Sequence, residues 1–314
     1  MKLDEKRLQK TGVIVLLAIL ANFLWGSAAP CIKTGYQLFQ IPSEETATQI
    51  LFAGCRFTLA GILGVFLGSF LNGSFLKPTK KALPKVAVLA MLQTVIQYGF
   101  YYIGLAHTTG VKASIVTASN VFIGILIASL LFRQEKLTPQ KILGCLIGFA
   151  GVVVVNVSSG TDLNLQMSLA GEGCIFMAAV AYSFSYVTMK LFSASEDPIM
   201  LSNYQFVLGG VIMIAIGFLS GGRITVVTGQ GILMLIYLAM VSAVAYSVWS
   251  LLLKYNPVSR VTVFGFMNPV FGVLLSALLL GESGQAFGAR GLIALVLVCI
   301  GIYIVNRGKP AGRV

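Results

Sequence analysis

Ten apolar runs, punctuated by charge, proline and glycine, follow one another near residues 12–32, 47–71, 84–106, 112–132, 138–157, 168–191, 199–219, 229–252, 261–280 and 285–305. Roughly 20 apolar residues are what a helix needs to cross the hydrocarbon core of a bilayer. In lipid each backbone N–H and C=O must find its partner within the protein, which leaves only helices and closed barrels as spanning structures. A barrel would need many short alternating segments, and the runs here do not alternate. The expected fold is therefore all-α, a polytopic membrane protein of ten transmembrane helices. With 57% hydrophobic and 10% charged residues, a soluble domain or a disordered tail is the wrong class.

The formal charge of +12 would in another setting suggest nucleic acid, but the basic residues lie between the apolar runs. With the amino terminus in the cytoplasm, the inner side receives Lys2, Lys6, Arg7, Lys10, Lys77, Lys80, Lys81, Lys85, Arg133, Lys136, Lys141, Lys190, Lys254, Arg260, Arg307, Lys309 and Arg313. Lys33, Arg56, Lys112, Arg223 and Arg290 are left for the other side or the spans, a bias of 17 to 5 that places both termini inside by the positive-inside rule. The reading is a multi-pass protein of the plasma membrane with cytoplasmic tails at 1–11 and 307–314, partnered by the lipid bilayer and not by nucleic acid. Pro30 directly after Ser27-Ala28-Ala29, and the further spans that follow, argue for an uncleaved first span. The five cysteines all fall inside apolar runs without paired spacing and read as small buried residues.

The chain also repeats itself. Asn120 to Glu135, NVFIGILIASLLFRQE, matches Asn268 to Glu282, NPVFGVLLSALLLGE, and each half closes on Val-Asn, at Val155-Asn156 and Val305-Asn306. Trp25 and Lys33 pair with Tyr182 and Lys190 at an offset of 157, and Arg56, Phe57 and Gly61 pair with Gln205, Phe206 and Gly210 at 149. Two five-span repeats result, 12–157 and 168–306. An odd number of spans starts the second half on the opposite side of the membrane, so the expectation is an inverted repeat of five plus five around a central cavity. The bland alternative is an old duplication kept for scaffold stability.

In Asn22-Phe23-Leu24-Trp25-Gly26-Ser27, Arg56-Phe57, Gly104-Leu105, Asn268-Pro269 and Gly281-Glu282, together with glycine-rich fifth and tenth spans, the sequence resembles the drug/metabolite transporter superfamily, in its EamA-type ten-span branch. The resemblance covers about residues 12–306. The first half departs from the pattern at Val121, where Pro269 stands in the second half, and at Phe132-Arg133-Gln134-Glu135 in place of Gly-Glu. What the resemblance implies is a basket-like bundle with a central cavity and activity as a carrier, often an exporter, of amino acids or related small metabolites.

Polar side chains in the middle of a span are costly unless paired or hydrated, so they point to other helices or to a cavity. Gln93, Gln97 and Tyr101 recur every four residues on one face of the third span, and Tyr98 and Tyr101 match Tyr246 and Trp249 in the eighth. Asn22 and Trp25 lie one turn apart in the first span, and Tyr182 and Tyr186 share a face in the sixth. Asn120 and Asn268 open the repeated stretches, and Pro269 frees a helical carbonyl. These twelve residues are the candidates for substrate contact, through stacking and hydrogen bonds, against ordinary interhelical packing. Arg56 is deep enough to need a partner: it either snorkels to the surface or meets a substrate carboxylate or a gate. Glu135 and Glu282 are candidates for gating or charge coupling, or simply anchor the helices after them. His107, the lone histidine, reads as a helix-end residue rather than a pH sensor.

The sequence contains no phosphate-binding loop, no nucleophile and base at a defensible spacing, and no His and Cys set suited to a metal, so the reading is a non-enzyme without cofactors. Small-residue faces at Gly144 and Gly148, and at Gly61, Gly64 and Gly68, serve either internal packing or a homodimer, with a monomer as the default. The function expected is secondary transport of a small metabolite, such as an amino acid, by alternating access and in the outward direction. The alternative is a membrane-embedded binding or sensor protein that completes no translocation.

Overall fold

The computed structural model describes residues 8–132, 137–156, 167–255, 261 and 263–307. It is built of helices α1 Thr11–Leu38, α2 Thr46–Asn72, α3 Leu83–Ala106, α4 Gly110–Leu131, α5 Pro139–Asn156, α6 Leu169–Phe192, α7 Pro198–Leu219, α8 Gly229–Tyr255, α9 Met267–Leu280 and α10 Ala289–Arg307. A short 3-10 turn, Val263–Phe266, precedes α9 and a short helix, Ser283–Phe287, follows it. Among the described residues seven helices are long and apolar enough to cross a membrane, and the apolar parts of α5, α9 and α10 are shorter. The outer surface is as oily as the core: Phe66, Phe70, Leu130, Leu146, Leu219, Leu233 and Leu278 are all exposed. Such a continuous apolar exterior would aggregate in water and is what lipid covers, so the chain is an all-helical multi-pass membrane protein.

Two helix pairs run together along most of their length, α2 with α7 and α5 with α10. Glycine makes both approaches. A Cβ on Gly61 would stand 2.6 Å from the Asn203 carbonyl, and one on Gly144 would stand 2.8 Å from the Gly301 carbonyl. The small-residue faces read from the sequence are thus occupied inside the chain, Gly61, Gly64 and Gly68 by α7 and neighbouring Leu76, Gly144 by α10 and Gly148 by the Phe122 ring. Helix α1 packs on α8 and α9, and α6 packs on α3 and α4. Pro30 withholds the N–H that would close on the Gly26 carbonyl, and it is at Gly26 that α9 comes closest, with Phe271 Cβ and the Gly272 nitrogen where a side chain would be.

The helix ends gather on two faces. On the first, the start of α1 meets the end of α8 through Ile14, Ala18 and Leu252, and the start of α3 meets the α6–α7 turn through the Lys85–Glu196 ion pair at 3.0 Å. On the second, the end of α3 meets the start of α6 through Thr108 and Glu172, and the end of α9 meets the start of α4 through Glu282 and Gly110. Apolar clusters close the first face: Ile14, Ala18, Leu252 and Val261 in one, and Leu76, Val86, Leu89, Ile199, Met200 and Leu201 in the other.

Candidate functional site

The interior is organised by α3, whose middle turns, Ala90–Tyr98, are π-helical. Closing on the fifth residue instead of the fourth widens the helix, a departure that recurs at functional sites. This wide stretch carries Gln93, Thr94 and Gln97, all buried, and ends at Tyr98. Ser185 of α6 donates to Gln93 Oε1 at 2.9 Å, and Gln97 Oε1 is buried with no protein partner. A buried amide atom left without a hydrogen bond costs about 1–3 kcal/mol, so it marks a place where a ligand or water completes the set.

Around this stripe stands an aromatic cluster. Trp25 of α1 meets Tyr246 and Trp249 of α8 edge-on, with centroids 5.3 and 5.2 Å apart. Tyr98 and Tyr246 bring their hydroxyls to 3.3 Å, and Tyr101 packs edge-on against Tyr98. Phe57 of α2 stacks on Phe206 of α7 at 5.3 Å and also touches Tyr98. Trp25 Nε1 is a further buried donor with no protein partner. The cluster is thus apolar in area but carries an unsatisfied donor at Trp25 and an unsatisfied acceptor at Gln97, the makeup of a site that orients a small solute.

Arg56 points inward and does not snorkel. It is 2% exposed, and its Nε, Nη1 and Nη2 groups donate to the Leu238 carbonyl at 3.1 Å, the Tyr102 hydroxyl at 2.8 Å and the Ser242 hydroxyl at 3.0 Å. The guanidinium carbon also lies 4.9 Å from the centroid of Phe57.

Two cavities, of about 430 and 460 Å3, open at the second face and share Ser43 and Ala106 in their walls. The larger is lined by Lys33, Tyr36, Gln37 and Glu282, the smaller by His107, Thr109, Lys112, Glu172 and Gln285. Tyr36 links the larger cavity to the interior, because its hydroxyl donates to the Tyr102 carbonyl at 2.9 Å. Between the cavities, the α3–α4 turn is held by two carboxylates. Glu172 accepts from Thr108 at 2.6 Å and pairs with Lys112 at 3.3 Å, while Glu282 accepts from the Gly110 and Val111 N–H groups at 3.0 and 2.9 Å. Glu282 therefore adds a negative charge to the positive end of α4.

Of the sequence-derived candidates, Trp25, Gln93, Gln97, Tyr98, Tyr101, Tyr246 and Trp249 come together in the interior cluster. Tyr182 joins that cluster through a hydrogen bond between its hydroxyl and that of Tyr246, and it packs at 5.9 Å on Tyr186, which lies against Gly124 of α4, where a side chain would collide with its hydroxyl. Asn22 is buried with its amide turned back to the Ala18 carbonyl of its own helix. Asn120 takes part through its carbonyl, which accepts from Ser183. Asn268 is partly buried at the start of α9. Glu135 lies outside the described residues. Sequence reasoning passed over Glu172, Tyr102 and Ser242. Glu172 stands alone at the head of its span, and nothing in spacing tells that Thr108 and Lys112 lie across from it.

The sequence profile of the EamA-like transporter family matches residues 12–157 and, again, residues 169–307. An uncharacterized transporter of Bacillus subtilis, YvbV, is 27% identical over 311 residues, 98% of this chain and 96% of that protein. The uncharacterized inner membrane transporter YedA of Escherichia coli K12 is 27% identical over 288 residues, 91% of this chain and 88% of its own length. An uncharacterized transporter of Archaeoglobus fulgidus is 27% identical over 303 residues, 94% of this chain and 99% of that protein. A solved crystal structure shares the fold at a TM-score of 0.64 with 21% identity, covering 93% of this chain and 96% of that one. The three relatives carry the names of transporters, not of enzymes.

Proposed function

Because the chain belongs to the EamA-like transporter family, a multi-pass membrane transporter is the premise, and we propose that it carries a small metabolite by alternating access. In this reading ten spans form two inverted halves, 12–157 and 168–306, in the plasma membrane with both termini cytoplasmic, and the net movement is outward. A small carboxylate-bearing solute such as an amino acid suits the volume of the cavities and the mix of aromatic and amide groups below them.

The observation that carries the proposal is that repeat-matched residues meet each other at the centre. Phe57 stacks on its counterpart Phe206, and Tyr98 faces its counterpart Tyr246. Self-matched contacts of this kind are what a two-fold axis produces. The packing partners exchange in the same way: α1 on α8 and α9 corresponds to α6 on α3 and α4. The start of α1 sits on the first face and the start of α6 on the second, in keeping with halves of opposite orientation. With cavities on the second face and apolar clusters closing the first, the arrangement suits a carrier caught open to one side. Rocking the halves would open the contacts at Lys85–Glu196 and Leu252–Ile14 and close the cavities.

The test is counterflow of labelled metabolites in sealed proteoliposomes, with a thermal-shift screen choosing the solutes. Saturable exchange that stops when a short bis-thiol reagent bridges K85C and E196C, and resumes on reduction, supports alternating access. Ligands that bind but never exchange would instead assign the chain to embedded binding without translocation. Cysteine labelling at either tail from the cytoplasmic side reads the topology.

A further inference from the structure

Resting on the carrier reading above, we propose that Arg56 is the anchor for the carboxylate of a monoanionic or zwitterionic solute, and that this chain selects its cargo by that charge. The side chain is almost wholly enclosed, yet its three protein partners are a carbonyl and two hydroxyls, all neutral. Among the described residues it forms no ion pair. A guanidinium has five N–H donors, so two remain for a ligand, and a buried positive charge without a counter-charge is expensive unless something supplies one.

The duplicated half shows that the fold itself does not require this charge. Arg56 grips Ser242 of α8, and at the matched positions Gln205 of α7 accepts from Thr94 of α3. The same interhelical contact is thus made twice, once by a neutral amide and once by a cation. The surplus charge at Arg56 lies among groups suited to a carboxylate-bearing solute. Phe57 lies 4.9 Å from the guanidinium and against Tyr98, whose ring also meets Tyr101 and Tyr102, and Trp25 Nε1 in the adjoining aromatic contact is a buried donor without a hydrogen-bond partner. Tyr102, which bonds Arg56 through its hydroxyl, is joined through its carbonyl to Tyr36 in the wall of the larger cavity. The carboxylate in that wall, Glu282, already accepts two backbone N–H groups, and Lys33 stands beside it in the lining. A bidentate carboxylate balances one guanidinium, whereas a phosphate dianion would leave one negative charge over.

The experiment compares acid and amide pairs on the purified full-length protein: amino acids with their α-amides, and benzoate, phenylacetate and indole-3-acetate with the corresponding primary amides. Equilibrium binding and counterflow are measured in parallel. At least one acid should bind about 10- to 100-fold more tightly than its amide, the fold-change expected for a charge-assisted hydrogen bond. In Arg56→Gln, which installs the residue already present at the matched position, the acid-to-amide ratio should fall to about one, and Arg56→Lys should retain part of it. The ratio is independent of how much protein is folded, and Arg56→Lys carries the test if Arg56→Gln does not fold. A panel in which no acid outbinds its amide overturns the proposal, as does an unchanged ratio in Arg56→Gln. Flux without acid selectivity removes this proposal and leaves the carrier, whereas acid-selective binding without flux removes the carrier and leaves this site.

Discussion

The hydroxyls of Tyr98 and Tyr246 stand 3.3 Å apart, although 148 residues of chain separate them and each holds the same place in its own half. Each ring also belongs to a separate aromatic contact, Tyr98 with Phe57 and Tyr246 with Trp25 and Phe206. The rings therefore provide the packing, and the hydroxyls share a hydrogen bond to which Tyr246 adds contacts with Gln93 and Tyr182. Y98F should change stability by about 1 kcal/mol or less, Y246F should cost more because it also leaves Gln93 and Tyr182 without their partner, and the double variant should be no worse than Y246F. Thermal melts of the three variants check this. Additive losses would mean that the Tyr98 hydroxyl has a partner besides Tyr246.

Gln97 makes a sharper distinction between packing and binding. Its Oε1 is buried and unpartnered, so replacing the amide with an apolar side chain of similar size removes an unpaid desolvation cost. Q97L should leave stability unchanged or raise it by about 1–3 kcal/mol, while lowering solute exchange at least about tenfold. A melt and a counterflow assay on the same preparation separate the two effects. A variant that loses stability in proportion to activity would put Gln97 in the packing.

The two carboxylates at the α3–α4 turn should behave differently from their cationic neighbour. Glu172 is buried and accepts from Thr108 Oγ1 and the Ser168 N–H, whereas Lys112 keeps part of its side chain in solvent. E172A therefore strands two donors and should cost about 2–3 kcal/mol. K112M leaves those bonds in place and should cost less than about 1 kcal/mol. Denaturant melts in detergent rank the pair, and an equal cost would mean that the ion pair, not the hydrogen bonds, holds the turn.

Glu282 serves that same turn from the other side. Its two bonds go to backbone N–H groups at the head of α4, which have no acceptor within their own helix. E282Q keeps an acceptor but loses the charge, and should cost about 0.3–1 kcal/mol. E282A loses both and should cost about 1–2 kcal/mol. Proteolysis or hydrogen exchange at residues 108–112 reads the loosened turn directly, and E282Q as harmful as E282A would make the charge the whole of the effect.

Helix positions were legible because they depend on the local apolar run. The run at 47–71 became Thr46–Asn72, and the run at 199–219 became Pro198–Leu219. The duplication led directly to Phe57 with Phe206 and Tyr98 with Tyr246. Partners across the bundle were not legible. Arg56 has the stem to snorkel as well as to turn inward, and only the positions of Leu238, Tyr102 and Ser242 decide between them. Equally, a four-residue spacing placed Gln93 and Gln97 on one face, but said nothing of the wide π-helical turns between them, against which α6 and α7 pack. Glu172 had no motif to announce it, since its meaning lies in Thr108 of the α3–α4 turn and Lys112 of α4.

The glycines between α2 and α7 test the two-fold relation itself. A Cβ on Gly54 would meet the Ile214 nitrogen at 2.5 Å and the Gly210 carbonyl at 2.9 Å, and one on Gly61 would meet the Asn203 carbonyl and the Val207 nitrogen, both at 2.6 Å. Backbone cannot withdraw as a flexible side chain can, so either substitution must push the helices apart. Gly210 holds the place of Gly61 in the second half, and a Cβ there would run into the Thr58 nitrogen and stand 2.9 Å from the Gly54 carbonyl, so G61A and G210A should each cost about 1–3 kcal/mol, and by similar amounts. If the halves also slide on this seam during transport, both variants should slow exchange beyond what their stability explains. Melts and counterflow rates for the two, set beside a substitution at lipid-facing Phe66, supply the comparison. A large cost at one glycine with none at the other would break the symmetry on which the carrier reading relies.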